Sequence, residues 1–181
     1  MNLETILGKK LGLPHILKIR DACLHTSGDA MKSELFSLIR HPEDRTAYNA
    51  LWVFTHFDYR DMGWLCSRRD SFIDLLLVTP HIGCRRLILT LLDRMPLGEQ
   101  EFRTDYLDYC LAVINSSAPY AIRSLCLRQA YVQSCFYPEL LAELMVEMEL
   151  MQHGTMSPGL RCTRRNILKK IDCDVASCAT H

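Results

Sequence analysis

Four prolines in this chain, Pro42, Pro80, Pro119 and Pro158, stand 38, 39 and 39 residues apart, and each opens an apolar helical pattern. Equal spacing of this size marks a repeated supersecondary unit and excludes most other plans for the chain. Proline suits the first helical turn, where the N–H it lacks would have no intrahelical partner. Thr79 and Ser157 stand directly before two of the prolines, and Ser116-Ser117 lie just upstream of a third, as good N-caps. The residue before a proline is pushed out of the α region, so each junction also ends the preceding helix.

A second helical pattern lies upstream of each proline. The spacing predicts first helices at about 30–40, 69–78, 101–115 and 137–152, and second helices at about 42–57, 80–94, 119–135 and 158–171. In Leu140-Leu141-Ala142-Glu143-Leu144-Met145-Val146-Glu147-Met148, apolar residues recur at three and four positions while the glutamates take the opposite face. No segment shows sustained strand alternation. The fold class is therefore all-α, and helix pairs this short must stack on neighbours to bury their apolar faces.

The second helices carry a recognisable pattern. Ile122-Arg123-Ser124-Leu125-Cys126-Leu127 reads apolar–Arg–x–x–small–x, Cys84-Arg85-Arg86-Leu87-Ile88-Leu89 is a looser version, and Arg161 to Leu168 a looser one still. Together with the period, these segments resemble the HEAT-like (armadillo-type) α-helical repeat family over residues 30–171. The family's regular Asp in the turn within each repeat is missing here. The resemblance implies a right-handed α-α superhelix, a short HEAT-like solenoid of about four helix pairs plus an N-terminal helical cap. The expected organisation is one domain over 1–171, with a cap at 1–28 and repeats near 30–58, 69–95, 101–135 and 137–171. Residues 172–181, without apolar periodicity, are expected to form a flexible tail.

Composition sets the remaining bounds. The chain of 181 residues balances 21 basic against 21 acidic side chains, which disfavours a dedicated nucleic-acid binder. The opening residues carry Glu4, Lys9 and Lys10 where a signal peptide needs an apolar run, and no stretch approaches the length of a membrane span. A cytoplasmic protein is expected. The nine cysteines include no C-x-x-C pair, and Cys162, Cys173, Cys178 and His181 lack zinc-module spacing, so buried reduced thiols are expected and neither a metal nor a cofactor.

Charge divides between the two helix sets. The first helix at 137–152 holds Glu139, Glu143, Glu147 and Glu149, whereas the second at 158–171 holds Arg161, Arg164, Arg165, Lys169 and Lys170. The resemblance implies that second helices line a concave binding face, which makes Arg85, Arg86, Arg123, Arg128, Tyr131, Arg164, Arg165 and Lys169 candidates. An alternative reading of Arg85 and Arg123 is that they tie neighbouring helices together. Within 42–57, helical spacing places Arg45, Asn49, Trp52 and His56 on a stripe opposite the apolar one. The loop at 58–69 carries the other tryptophan, Trp64. No catalytic motif is present. The expected function is a non-enzymatic protein-interaction or scaffold module that takes an acidic protein or peptide partner. The alternative is an enzyme like the DNA glycosylases built on HEAT-like repeats, and a homo-oligomer that covers its own apolar surface is a further arrangement.

Overall fold

A computed structural model describes residues 2–25, 29–151 and 156–178, with side chains as far as residue 173. Among these residues there are eleven α-helices, three short 3-10 turns and no strand. The chain divides into two compact units, Met1–Met95 and Pro96–His181.

In the first unit, α1 (Leu3–Leu7) and α2 (Leu13–His25) form the N-terminal cap. The two helix pairs that follow are α3 (Ala30–Ser37) with α4 (Asp44–Thr55), and α6 (Arg69–Val78) with α7 (Ile82–Leu92). Helix α4 is the hub, packing against α1, α2 and α7. Its sequence explains this position: Ala47, Ala50, Leu51, Val53 and Phe54 are all buried, so its apolar surface reaches well around the helix.

The segment expected as a loop at 58–69 contains a 3-10 turn, Tyr59–Asp61, and a short helix, α5 (Met62–Cys66). It folds inward on Trp64, whose ring stacks on Phe54 at 5.7 Å and meets Phe36 edge-on at 5.9 Å. Phe72 joins this cluster 5.4 Å from Phe36. The Arg68 guanidinium lies 3.6 Å over the Trp64 ring and donates to the Trp64 carbonyl at 3.0 Å. At the other end of the segment, Lys32 donates to Asp61 at 2.8 Å.

The second unit pairs α8 (Thr104–Ile114) with α9 (Tyr120–Ser134), and α10 (Pro138–Leu150) with α11 (Pro158–Cys178). Helix α9 packs against α8, α10 and α11. Ile122, Leu125, Cys126, Leu127 and Ala130 of α9 are buried, as are Leu160, Ile167 and Ile171 of α11.

The repeat prolines hold three different places. Pro158 is the first residue of α11 and Pro119 is the N-cap of α9, but Pro42 and Pro80 lie two residues ahead of α4 and α7. The histidines beside those two prolines act differently. His81 is the N-cap of α7, its Nδ1 accepting from the Cys84 amide at 3.1 Å, whereas His41 Nδ1 accepts at 3.1 Å from the amide of Glu43, the residue that itself stands at the N-cap of α4. Thr79 is thus the C-cap of α6 rather than an N-cap of α7, whereas Ser157 accepts from the Leu160 amide at 3.2 Å as a cap should. The last helix differs from expectation too. It runs through 172–178, where a flexible tail was expected, because Asp172 to Cys178 contains neither Gly nor Pro to stop helix propagation. The rest of that expected tail, 179–181, lies outside the described residues.

Candidate functional site

Three of the candidate cations do the same structural job. Arg85 Nε donates to the Thr79 carbonyl, Arg123 Nε to the Ile114 carbonyl and Arg164 Nε to the Met148 carbonyl, each at 2.7 Å. Every acceptor lies at or near the C-terminal end of the first helix in its own pair. Such carbonyls lack intrahelical donors and sit at the negative end of the helix dipole, so a guanidinium satisfies both needs. Arg94 does the equivalent for α4, donating to the Thr55 and Phe57 carbonyls at 2.6 and 2.5 Å. Arg85, Arg123 and Arg164 therefore each tie the second helix of a pair to the end of the first.

Asn49 is a clear correction to the expected stripe on α4. It is 4% exposed, and its Nδ2 donates to the Leu7 carbonyl at 2.7 Å and the Lys9 carbonyl at 3.0 Å. It closes the C-terminal end of α1 and presents nothing to solvent. The stripe actually on the surface is rotated by one residue and passes through Tyr48, which the sequence reading missed. Trp52 is half-buried, 6.2 Å from the Tyr48 ring and 6.4 Å from the His56 ring. Tyr48 in turn meets His81, the N-cap of α7, at 6.1 Å and lies 3.5 Å from Arg86 Nη2. With exposed Arg45 one turn before Tyr48, α4 and α7 carry an aromatic ladder flanked by guanidinium groups. Gly83 permits this approach: a Cβ there would stand 2.9 Å from both the Tyr48 and the His81 ring.

His56 closes the ladder. Its Nε2 is buried without a hydrogen-bond partner, and its pKa is held below 6.5 by burial first and then by the Arg20 and Arg94 charges. The unfolded chain therefore binds a proton that the native ring resists, so stability is full above about pH 6.5 and falls as the pH drops through the lowered value. Thermal melts from neutral to mildly acidic pH should show this decline, and His56→Gln should flatten the His56 part of it.

In the second unit, Tyr131 of α9 meets Lys169, Lys170 and Cys173 of α11 around an open cavity of about 360 Å³. Lys170 Nζ stands 5.8 Å over the Tyr131 ring, a distance that suits a cation–π contact. Arg128, one turn before Tyr131, is exposed, as is Arg165, one turn before Lys169. Helix α9 carries no acidic residue along its length. Here two second helices combine their cations with an aromatic surface.

The cysteines are distributed by burial. Cys23 and Cys84 are buried, which pushes each thiol up to about 11, and the Cys110 thiol is raised well above its ordinary value by burial and by its neighbour Cys126. These thiols are not nucleophiles at neutral pH. Among the described residues no cluster of His, Cys, Asp and Glu is arranged to hold a metal ion, and no helix is long and apolar enough to cross a membrane. Of the zinc set weighed from the sequence, Cys162 and Cys173 are exposed. The Cys178 side chain and His181 lie outside what is described.

No curated protein and no solved structure matches the chain at a significant level. A family model described as a HEAT repeat domain matches residues 3–171. HEAT repeats generally mediate protein interactions and scaffolding and are typically non-catalytic, and the match lends no support to the glycosylase alternative. The helix pairs seen in both units are consistent with that family. The match takes in the N-terminal cap and all four pairs: the chain belongs to the HEAT repeat domain family.

Proposed function

We propose that this protein is a non-enzymatic interaction module that captures an acidic protein segment on its second helices. The observation that carries this reading is the cavity where Tyr131, Lys169 and Lys170 converge, with no carboxylate among the described residues that line it. An acidic side chain entering there gains two ammonium partners, and its stem packs on the tyrosine ring. The ladder of Tyr48, Trp52 and His56 beside Arg45 and Arg86 supplies the same combination of aromatic surface and positive charge in the first unit. Both surfaces belong to helices that follow the repeat prolines, whereas the glutamates concentrate on α10.

The experiment is a fluorescence-anisotropy titration of the full chain with a labelled peptide rich in Glu and Asp, over a range of salt concentrations. Binding should weaken steadily with salt, because the surface charges involved are screened. Lys170→Glu should raise Kd about tenfold, the equivalent of about 1.4 kcal/mol. Binding that ignores both salt and Lys170→Glu would overturn the proposal. A duplex DNA probe serves as the second arm: tighter binding of DNA than of the acidic peptide would assign the cations to nucleic acid.

A further inference from the structure

Helix α10 has two unlike sides. Leu144 and Met148 are buried, and Glu147 accepts from the Asn115 side chain at the end of α8. Away from that side, Val146 and Leu150 stand one turn apart with 56% and 57% of their surface exposed, and Met145 is 37% exposed. Glu139, Glu143 and Glu149 are exposed around them. Exposed aliphatic residues in one row on one helix mark a contact surface more often than isolated ones do.

Helix α11 lies beside α10, joined by the bond from Arg164 Nε to the Met148 carbonyl. Leu160, Ile167 and Ile171 of α11 face the core, and Lys170 turns toward Tyr131 of α9. Arg161, Arg165 and Lys169 follow one another at four-residue spacing and form a separate exposed row. Among the described residues, none of these three pairs with a carboxylate: Arg161 donates to the Met156 carbonyl, and Arg165 lies 3.8 Å from Cys162 Sγ. One helix pair thus carries an apolar strip framed by acid on one helix and a basic row on the other.

We propose that two copies of this chain associate across a two-fold axis, with α10 of each copy lying against the Arg161–Arg165–Lys169 row of α11 in the other. A two-fold interface requires a surface complementary to itself, and a pair with one acidic and one basic helix meets that condition twice over. Burying Val146 and Leu150 supplies attraction without direction, while the charges select the orientation and exclude α10 against α10. The arginine and lysine stems cover aliphatic side chains well, their charged ends reaching the surrounding glutamates. This association does not depend on the acidic-partner reading, since the two surfaces share Lys169 but not Tyr131, Lys170, Val146 or Leu150.

Sedimentation equilibrium of the full chain tests it with two charge-swapped variants. One carries Glu143→Lys and Glu149→Lys, the other Arg161→Glu and Arg165→Glu; all four side chains are exposed, and helical circular dichroism verifies the fold. The unaltered chain should form a dimer that weakens with salt. Each variant alone should dimerise at least about tenfold more weakly, as two attractive charge pairs per contact become repulsive. An equimolar mixture of the two should recover the dimer, because α10 of one then faces an α11 of opposite charge in the other. An unaltered chain that stays monomeric, or a mixture as weak as its components, would overturn the proposal. Acidic-peptide binding that persists in the Glu143/Glu149 variant separates a failure here from a failure of the binding surface.

Discussion

Trp64→Ala should cost the first unit about 3 kcal/mol, near the lower end of the range for removing a packed aromatic ring. The ring stacks on Phe54 and contacts Phe36, so its loss opens a cavity in the cluster that joins α3, α4 and α6. It also removes the platform beneath Arg68, which lies 3.6 Å from the ring centre. The ring is half-buried, so water can enter part of the space, and this keeps the cost from the top of the range. Trp64→Phe sharpens the test. The Trp64 Nε1 is buried without a partner, so phenylalanine keeps much of the stacking and removes an unsatisfied donor. Urea denaturation should find Trp64→Phe within about 1.5 kcal/mol of the unaltered protein. Equal losses for Ala and Phe would mean that the indole makes a bond not seen in the structure.

Asn49→Leu should cost about 2–4 kcal/mol although leucine is the more hydrophobic residue. The substitution leaves the Leu7 and Lys9 carbonyls without the donor that now reaches both, and a buried unpaired polar group costs about 1–3 kcal/mol. The effect should be local before it is global. Helix α1 has five residues and little stability of its own, so losing its tie to α4 should release it first. Hydrogen exchange at the Gly8 amide, which bonds the Glu4 carbonyl at 3.0 Å, should accelerate far more than exchange in α9. Uniform acceleration in both units would contradict the assigned role.

Asn49 also shows where sequence reasoning stops. Helical spacing places Arg45, Asn49, Trp52 and His56 close together, and polarity assigns that stripe to the surface. The side chain is instead buried by carbonyls 40 and 42 positions away, a contact that no local pattern announces. Tyr48, one residue earlier, is half-buried and joins the surface stripe in its stead. An amphipathic stripe is known only to about one residue's rotation, and a buried asparagine shifts it. The repeat was far more legible. Helix α6 begins and ends where the pattern placed it, at Arg69 and Val78, because caps and apolar spacing are local properties. The starts of α4 and α7 moved by two residues, since the N-cap lies after the proline in both, at Glu43 and at His81.

The arginines lie between these extremes. Their recurrence in the second helices was visible in Arg85, Arg123 and Arg164, and so, for Arg85 and Arg123, was the alternative that they tie helices together. Which reading holds depends on whether a carbonyl is within reach, a matter of tertiary geometry. All three reach one at 2.7 Å. The proposed binding surface is accordingly smaller than charge counting suggests, and it rests on side chains such as Lys170. Lys170 itself was absent from the expected face, although it directly follows Lys169.

The division between structural and binding cations is the centre of this account, and one paired measurement tests it. Melting temperature and acidic-peptide Kd are determined together for Arg123→Ala and for Lys170→Glu. Arg123→Ala should lower stability by about 1.5–3 kcal/mol, the worth of a charged hydrogen bond, and leave Kd within about twofold. Lys170→Glu should leave the melting temperature nearly unchanged and weaken the peptide about tenfold. The reverse pattern, with Arg123→Ala abolishing binding in a fully stable protein, would contradict the account.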